Sequence, residues 1–314
     1  MKTYKALTIG GTIIRILIGL VFILSALFKY ISIDSVDLFI FEHKLFSWVF
    51  TTIATRCLIA FEAIVGLMLI IGIYPRLTRF LTIISLILFS VYILVKPLLF
   101  DLSSENCHCF GTIIAFSDTQ TLIKNIILLI LSFGLKWAKW IRSRFSIYIL
   151  ISSIILCLSL SFIINPPEFI QTKLYYKEVK LRPEVFQKVK ELDNVKALEI
   201  DKGRKVLCWF STGCKYCKAT ATKLEIIMQR HNLDRNSFVQ IFGGKQKDLD
   251  EFYKETNTKP INHTFINVIS FLNTTYGKMP VIFLLDNGEI VKLYRSSTID
   301  ESYIVSFLKG EKIK

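Results

Sequence analysis

The chain carries seven cysteines, and four of them stand in two close pairs. One pair is Cys214 and Cys217 in FSTGCKYCKAT, residues 210–220; the other is Cys107 and Cys109 in ENCHCFG, residues 105–111. The first stretch follows an apolar run and opens a segment with helical spacing. A cysteine at a helix start is stabilised as thiolate by the free backbone N–H groups and the helix dipole, and Lys215 and Lys218 add positive charge nearby. That spacing predicts Cys214 as a nucleophile. Cys217, one turn further in, is placed to attack the mixed disulfide that Cys214 forms with a partner and to release the product. The competing reading is half of a structural zinc site. Zinc wants a second pair in the same domain, whereas only Cys208 remains there, with His231 and His263 out of alignment. No metal is expected at this pair.

Cys107 and Cys109 pose a different problem. Two cysteines separated by one residue can bridge only in a tight turn, since an extended segment holds their Cα atoms near the limit of about 7 Å and points both side chains the same way. A strained, exposed pair exchanges readily, and His108 between them can take or give a proton near neutral pH. A metal site of Cys107, His108 and Cys109 would need adjacent residues to converge on one ion with no fourth ligand near. A static structural disulfide is the third reading, open to any loop in an oxidising compartment.

What must position these pairs follows from composition. With 314 residues, 52% hydrophobic, and a mean hydropathy of +0.48, the chain is too apolar for an ordinary soluble protein. Five apolar stretches can span a bilayer: about Gly10 to Ile31, Leu45 to Ile73, Leu77 to Phe100, Leu122 to Leu135 and Phe145 to Ile164. The fourth is the shortest, with Trp137 and Trp140 as interface anchors. The first is longer than a signal-peptide core and no A-x-A-like cleavage site follows it, so it is read as retained.

Orientation follows from charge. Lys2, Lys5, Arg76, Arg79, Lys136, Lys139, Arg142 and Arg144 fall in alternate connections that hold no acid, which predicts a cytoplasmic N-terminus. Five crossings then put residues 105–111 and the C-terminal half on the outer side of the membrane. The net charge of +14 divides evenly, 14 Lys and Arg against 7 acids in residues 1–164 and 25 against 18 in residues 165–314. It reflects this topology signal and a mixed, solvated surface, so no nucleic-acid partner is inferred.

Asn165, Pro166 and Pro167 end the fifth span, and the composition changes abruptly. The expected organisation is a membrane domain over 1–164, a linker over 165–180 and a periplasmic domain over 181–314. In the last, RPEVFQKVKELDNV reads as a helix, KVLCWFS as a buried strand and CKATATKLEIIMQR as a helix. FVQIFGG reads as a second strand, with KDLDEFYKET and FINVISFLN as helices. VIFLLDNGEIVKLYR is a hairpin turning at Asn287 and Gly288, followed by a helix from about Asp300 to Leu308. Strands alternating with helices, then a hairpin and a helix, make a mixed-sheet α/β domain.

KVLCWFSTGCKYCKAT, followed much later by GKMPVIFLLDNGEIVKLYR, resembles the thioredoxin-like family, in particular its extracytoplasmic thiol–disulfide oxidoreductases. The resemblance implies that Pro280 is a cis-proline facing the cysteine pair and that Met279 contacts the substrate backbone. Gly213 and Lys215 stand where the family usually has Trp or Pro around its first cysteine. RILIGLVFILSALFK, FEAIVGLMLIIGIYPR and CHCFG resemble the DoxX-like superfamily, and the Cys-x-Cys-Phe-Gly element its methylamine-utilisation MauE-like branch. Members of that branch are associated with disulfide formation in a periplasmic dehydrogenase subunit, and some are fused to a thioredoxin-like domain.

Arg15, Arg56 and Glu62 fall inside spans, with Glu62 at a depth between the two arginines. They are expected to form an ion-paired network, either a structural clamp or a proton or quinone site. Lys29 is expected to snorkel to the outer edge. Cys57 and Cys157 read as small apolar residues or as steps of an intramembrane relay. The combined expectation is a relay between the two cysteine pairs, serving client thiols or disulfides outside, with no covalently bound cofactor and a lipid-phase carrier such as quinone. Its rivals are a thioredoxin merely anchored by its helices and a non-enzymatic assembly factor that holds a client or metal.

Overall fold

The computed structural model describes residues 2–99, 116–141, 143–168, 170, 183–243 and 246–311. Cys107, His108 and Cys109 lie outside the described residues. The chain divides into two compact units, Met1–His43 with Phe50–Pro167, and Lys44–Val49 with Glu168–Lys314.

The first unit is helical: α1 (Lys2–Ile31), α2 (Ile33–Glu42), α3 (Trp48–Ile71), α4 (Pro75–Leu99), α5 (Asp118–Ser132) with a 3-10 turn to Lys136, and α6 (Ser146–Ser159) with a π turn to Ile164. Five of these segments are long and apolar enough to cross a membrane: Tyr4–Ile31, Trp48–Ile71, Pro75–Leu99, Asp118–Lys136 and Ser146–Ile164. Ile18, Phe22, Val65, Leu69, Leu86, Leu128 and Leu135 fill the bundle interior. Large apolar side chains such as Leu17, Leu20, Leu24 and Leu27 stay exposed, as a lipid-facing surface requires. Helices α1 and α3 meet at Gly19 and Gly66, where a Cβ on Gly19 would come 3.0 Å from the Gly66 carbonyl oxygen. The start of α5 is fixed by a capping box, with Ser117 accepting from the Gln120 backbone N–H and the Gln120 side chain accepting from that of Ser117.

Sequence reasoning did not foresee α2, which it took for a polar loop. Its apolar face, Ile33, Val36, Phe39 and Phe41, is buried, and so is Asp37. Asp37 Oδ2 accepts from Arg56 Nη1 at 2.8 Å, and Arg56 also donates to the carbonyls of Thr52 and Asn165. Glu62 is paired with Lys29 instead, and Ser25 donates to its second oxygen at 3.0 Å. The expected Arg15–Arg56–Glu62 network therefore does not form. Two separate pairs replace it, because α2 supplies a carboxylate that span counting leaves out. Lys29 does not snorkel either: it is 3% exposed, held by Glu62 and Ser25 and set over the Phe89 ring.

The second unit holds α7 (Pro183–Lys190), α8 (Asp193–Lys196), β1 (Arg204–Phe210), α9 (Lys215–His231), β2 (Phe238–Gly243), α10 (Leu249–Thr256), β3 (Asn262–Ile266), α11 (Val268–Thr275), β4 (Val281–Asp286), β5 (Glu289–Arg295) and α12 (Glu301–Lys309). The sheet order is β3-β2-β1-β4-β5. β1 runs parallel to β2 and antiparallel to β4, with Leu207 opposite Val239 and Phe283. A βαβ half joined to a ββα half across the central β1 is the thioredoxin-like arrangement. Its core gathers Phe186, Trp209, Ile241, Phe271 and Phe283.

Two expected helices come out differently. The segment over 182–195 breaks at Leu192, which is extended (φ −66°, ψ 131°). In a continuous helix Val195 would point about 180° away from Phe186; the break lets both reach the core. FINVISFLN is a helix only from Val268. Phe265 and Ile266 instead pair with β2, and Asn267 caps α11 by accepting from Ile269 N–H at 2.7 Å. The hairpin forms with Asn287 at φ 47° and Gly288 at φ 80°, as an Asn-Gly turn demands.

Candidate functional site

From Val206 to Phe210, β1 is an unbroken apolar run buried in the middle of the sheet, so its C-terminal end delivers Ser211–Cys214 to the end of the sheet at a fixed place. Helix α9 begins immediately after. Cys214 is its N-cap residue, with extended backbone (φ −86°, ψ 114°) and a sulfur that accepts from the Cys217 backbone N–H at 3.4 Å. Its amide donates to Ser211 O at 3.1 Å, which closes the turn. Cys217, in the first turn of α9, is fully buried, and its sulfur accepts from Ser211 N–H at 3.5 Å. Cys214 is partly exposed, and both are free thiols.

This asymmetry of exposure becomes an asymmetry of acidity. The Cys214 thiol is lowered from 9.0 to about 6, chiefly by its hydrogen bond with the Cys217 side chain. The Cys217 and Tyr216 backbone N–H groups and the Lys218 charge assist, and burial opposes them. Cys217 is pushed far up by that same bond and by burial. A thiolate stabilised at a helix start and a neutral thiol held behind it fit attacking and resolving roles. Cys208, on β1, is buried, and burial alone pushes its thiol up, which leaves it inert.

The two lysines divide their roles otherwise than expected. Lys218, ion-paired with Glu255, contributes to lowering Cys214, whereas Lys215 is exposed and lies 4.9 Å from the Tyr216 ring centre. Helix geometry turns Lys215 away onto its aromatic neighbour. Met279 and Pro280 lead into β4 through a cis peptide bond, and Pro280 is buried. Val281 pairs with Trp209, so the register sets Pro280 beside the end of β1 from which the Cys214 turn departs. Met279 packs partly buried against the core around Trp209. The fold thus brings Cys214, Cys217, Met279 and Pro280 to one edge of the sheet.

In the helical unit, Cys157 is buried and Cys57 exposed. Sequence reasoning missed a polar pair between the end of α2 and α4. Tyr92 Oη and His43 Nε2 are 2.8 Å apart, and His43 Nδ1 lies 2.9 Å from Phe39 O. It missed as well the Lys96–Asp118 ion pair at 2.9 Å, which ties α4 to α5 on either side of residues 100–115. Basic and acidic residues at the flanks of an apolar run were the available signal.

Known proteins match this chain over different shares of its length. Residues 7–138 match the family described as methylamine utilisation protein MauE. Protein TlpB of Flavobacterium psychrophilum is 29% identical over 336 residues, covering 91% of each chain. Among solved structures, a secreted Mycobacterium tuberculosis disulfide oxidoreductase, described as homologous to E. coli DsbE, aligns over 37% of this chain and 86% of its own, at 11% identity and a TM-score of 0.29.

Proposed function

We propose that this chain, whose residues 7–138 match the MauE family and whose second unit has a thioredoxin-like sheet, is a membrane-bound exchanger of disulfides with extracytoplasmic client proteins. The observation that carries the reading is the partly exposed Cys214, its thiol lowered to about 6, with Cys217 buried behind it. In the oxidising direction a client thiolate attacks Cys214 of the Cys214–Cys217 disulfide, and the electron pair of the broken S–S bond goes to Cys217. A second client thiolate then breaks the mixed disulfide, leaving a client disulfide and a dithiol; the reducing direction is the reverse. Met279 and Pro280 supply the edge along which the client backbone lies.

Cys107 and Cys109, assisted by His108, then restore the starting state of Cys214 and Cys217. Both pairs belong to one polypeptide, so each meets the other at a high effective concentration when the linker over 165–180 spans the gap. The membrane domain passes the electrons to or from a lipid-phase carrier such as a quinone. Ser25, Lys29 and Glu62, hydrogen-bonded to one another inside the helical unit, are the polar groups that would meet such a carrier. The N-terminus is cytoplasmic, the membrane the bacterial inner membrane and the thioredoxin-like domain periplasmic.

The test is a Cys217→Ala variant, which removes the resolving thiol. Cys214 should then stay covalently joined to Cys107 or Cys109, so that the two halves remain linked after cleavage between residues 165 and 180 until reductant is added. Halves that separate without reductant, with Cys214 free or joined only to other proteins, would reduce the helical domain to an anchor.

A further inference from the structure

Arg15 is 6% exposed, and its Nε and Nη1 are fully buried without a hydrogen-bond partner among the described residues. No carboxylate among the described residues lies within ion-pair distance of it. Its neighbours explain why none can. α1 is about 45 Å long at 1.5 Å per residue, well beyond the roughly 30 Å of a bilayer core, so one end must stand outside. Gly11 lies against the backbone of Trp137 and Ala138, and Thr12 Oγ1 accepts from Lys139 N–H at 3.0 Å. Ile141 N–H in turn donates to Gly72 O, where α3 ends, at 2.7 Å. Arg15, one turn on from Gly11, is therefore level with the helix ends and connections at the bundle's basic face, at headgroup depth.

That face holds no acid: residues 1–33, 63–100 and 119–167 contain neither Asp nor Glu. The nearest acid along α3 is Glu62, ten residues and about 15 Å from Gly72, and it is already paired with Lys29. The guanidinium is nonetheless built in. Gly72 makes room for it, since a Cβ there would fall 1.6 Å from Nη1, and Trp140 covers it with its ring centre 5.4 Å from Cζ. The C-terminal end of α3 beside it favours a cation but provides no hydrogen bond to the two orphaned nitrogens. Arg76, Lys136 and Lys139 stand exposed on the same face.

We propose that Arg15 anchors a phosphate-binding site whose ligand is the phosphoester headgroup of an anionic phospholipid. A guanidinium presents paired N–H donors matched to two phosphate oxygens, and a desolvated cation with unmet donors binds such an anion more strongly than the exposed lysines do. The same chemistry would accept inorganic phosphate, which the test separates.

Full-length protein purified in detergent is titrated with phosphatidylglycerol and, in parallel, with monogalactosyldiacylglycerol, which lacks phosphate, and bound lipid is counted by native mass spectrometry. Wild type should prefer phosphatidylglycerol by about tenfold or more. Arg15→Gln should abolish the preference, Arg15→Lys should keep part of it, and Arg76→Gln with Lys136→Gln should keep most. Equal retention by wild type and a folded Arg15→Gln variant, or no preference over the galactolipid, overturns the site. Folding of the variant is checked by its thermal midpoint, and Arg15→Lys carries the test if Arg15→Gln fails to fold. Displacement of the lipid by millimolar inorganic phosphate upholds the phosphate chemistry and overturns the lipid as its source; failure of phosphate to displace it upholds both.

Discussion

Alkylation of Cys214 with iodoacetamide, followed across about pH 4 to pH 9, measures the property on which exchange depends. The thiol is lowered from 9.0 to about 6, so near pH 7 the thiolate fraction is about 90% against about 1% for an ordinary thiol, roughly a ninetyfold gain. Nucleophilicity falls with acidity, and with a Brønsted coefficient of about 0.45 a drop of about three units costs roughly twentyfold. The net rate advantage near neutrality is then only about fourfold. The clear signature is the profile: the Cys214 rate should reach its plateau by about pH 7, whereas an ordinary thiol still rises tenfold per unit there. Cys217, buried and with its thiol pushed up, should be nearly inert throughout. Each residue is read separately by mass spectrometry of its peptide after quenching. Because the Cys217 side chain is the largest cause of the lowering, Cys217→Ala should move the Cys214 midpoint up toward 9.0. Lys218→Gln should move it less, and Lys215→Gln should leave it in place. A Cys214 midpoint near the ordinary value, or equal rates for the two cysteines, would refute the helix-start argument.

The same ionisation predicts a pH dependence of stability. Between about pH 6 and pH 9 the unfolded chain keeps the Cys214 proton and the folded dithiol form does not, so stability of the reduced protein should rise with pH across that window and lose the contribution as pH falls through 6. The oxidised protein, lacking the thiol, should show no such rise in parallel thermal melts. Lys29→Met should lower the thermal midpoint of the detergent-solubilised protein, a loss of about 2 kcal/mol, because it takes from the largely enclosed Glu62 the cation hydrogen-bonded to it. Lys29→Met with Glu62→Leu should recover most of that loss; if the double variant is no more stable than the single one, the pair is not the source. Finally, a reporter active only in the cytoplasm should work when fused after Ser143 and be silent after Lys314, and the reverse pattern would place the Cys214 pair in a reducing compartment.

The amino-acid sequence by itself determined the two-part build, five spans and an α/β domain, because both signals are local. A stretch of about 20 apolar residues is a span whatever surrounds it, and the strand-then-cysteine-then-helix order around Cys214 needs only the alternation of apolar and polar residues. The hairpin was equally legible, since Asn287 and Gly288 are the pair that accepts positive φ. Tertiary structure decided which groups meet. Arg56 takes its carboxylate from Asp37, nineteen residues away on a helix that looked like a loop, and Glu62 takes Lys29; depth along a span does not say which faces of two helices are turned together. It decided that β3 pairs with β2, which converts Phe265 and Ile266 from helix to strand, and that Lys218 rather than Lys215 bears on the nucleophile. It alone left the Nε and Nη1 of Arg15 without a hydrogen-bond partner among the described residues. Pairing energies in a buried site depend on direction and distance at the scale of a few ångströms, and that information exists only once the chain has packed.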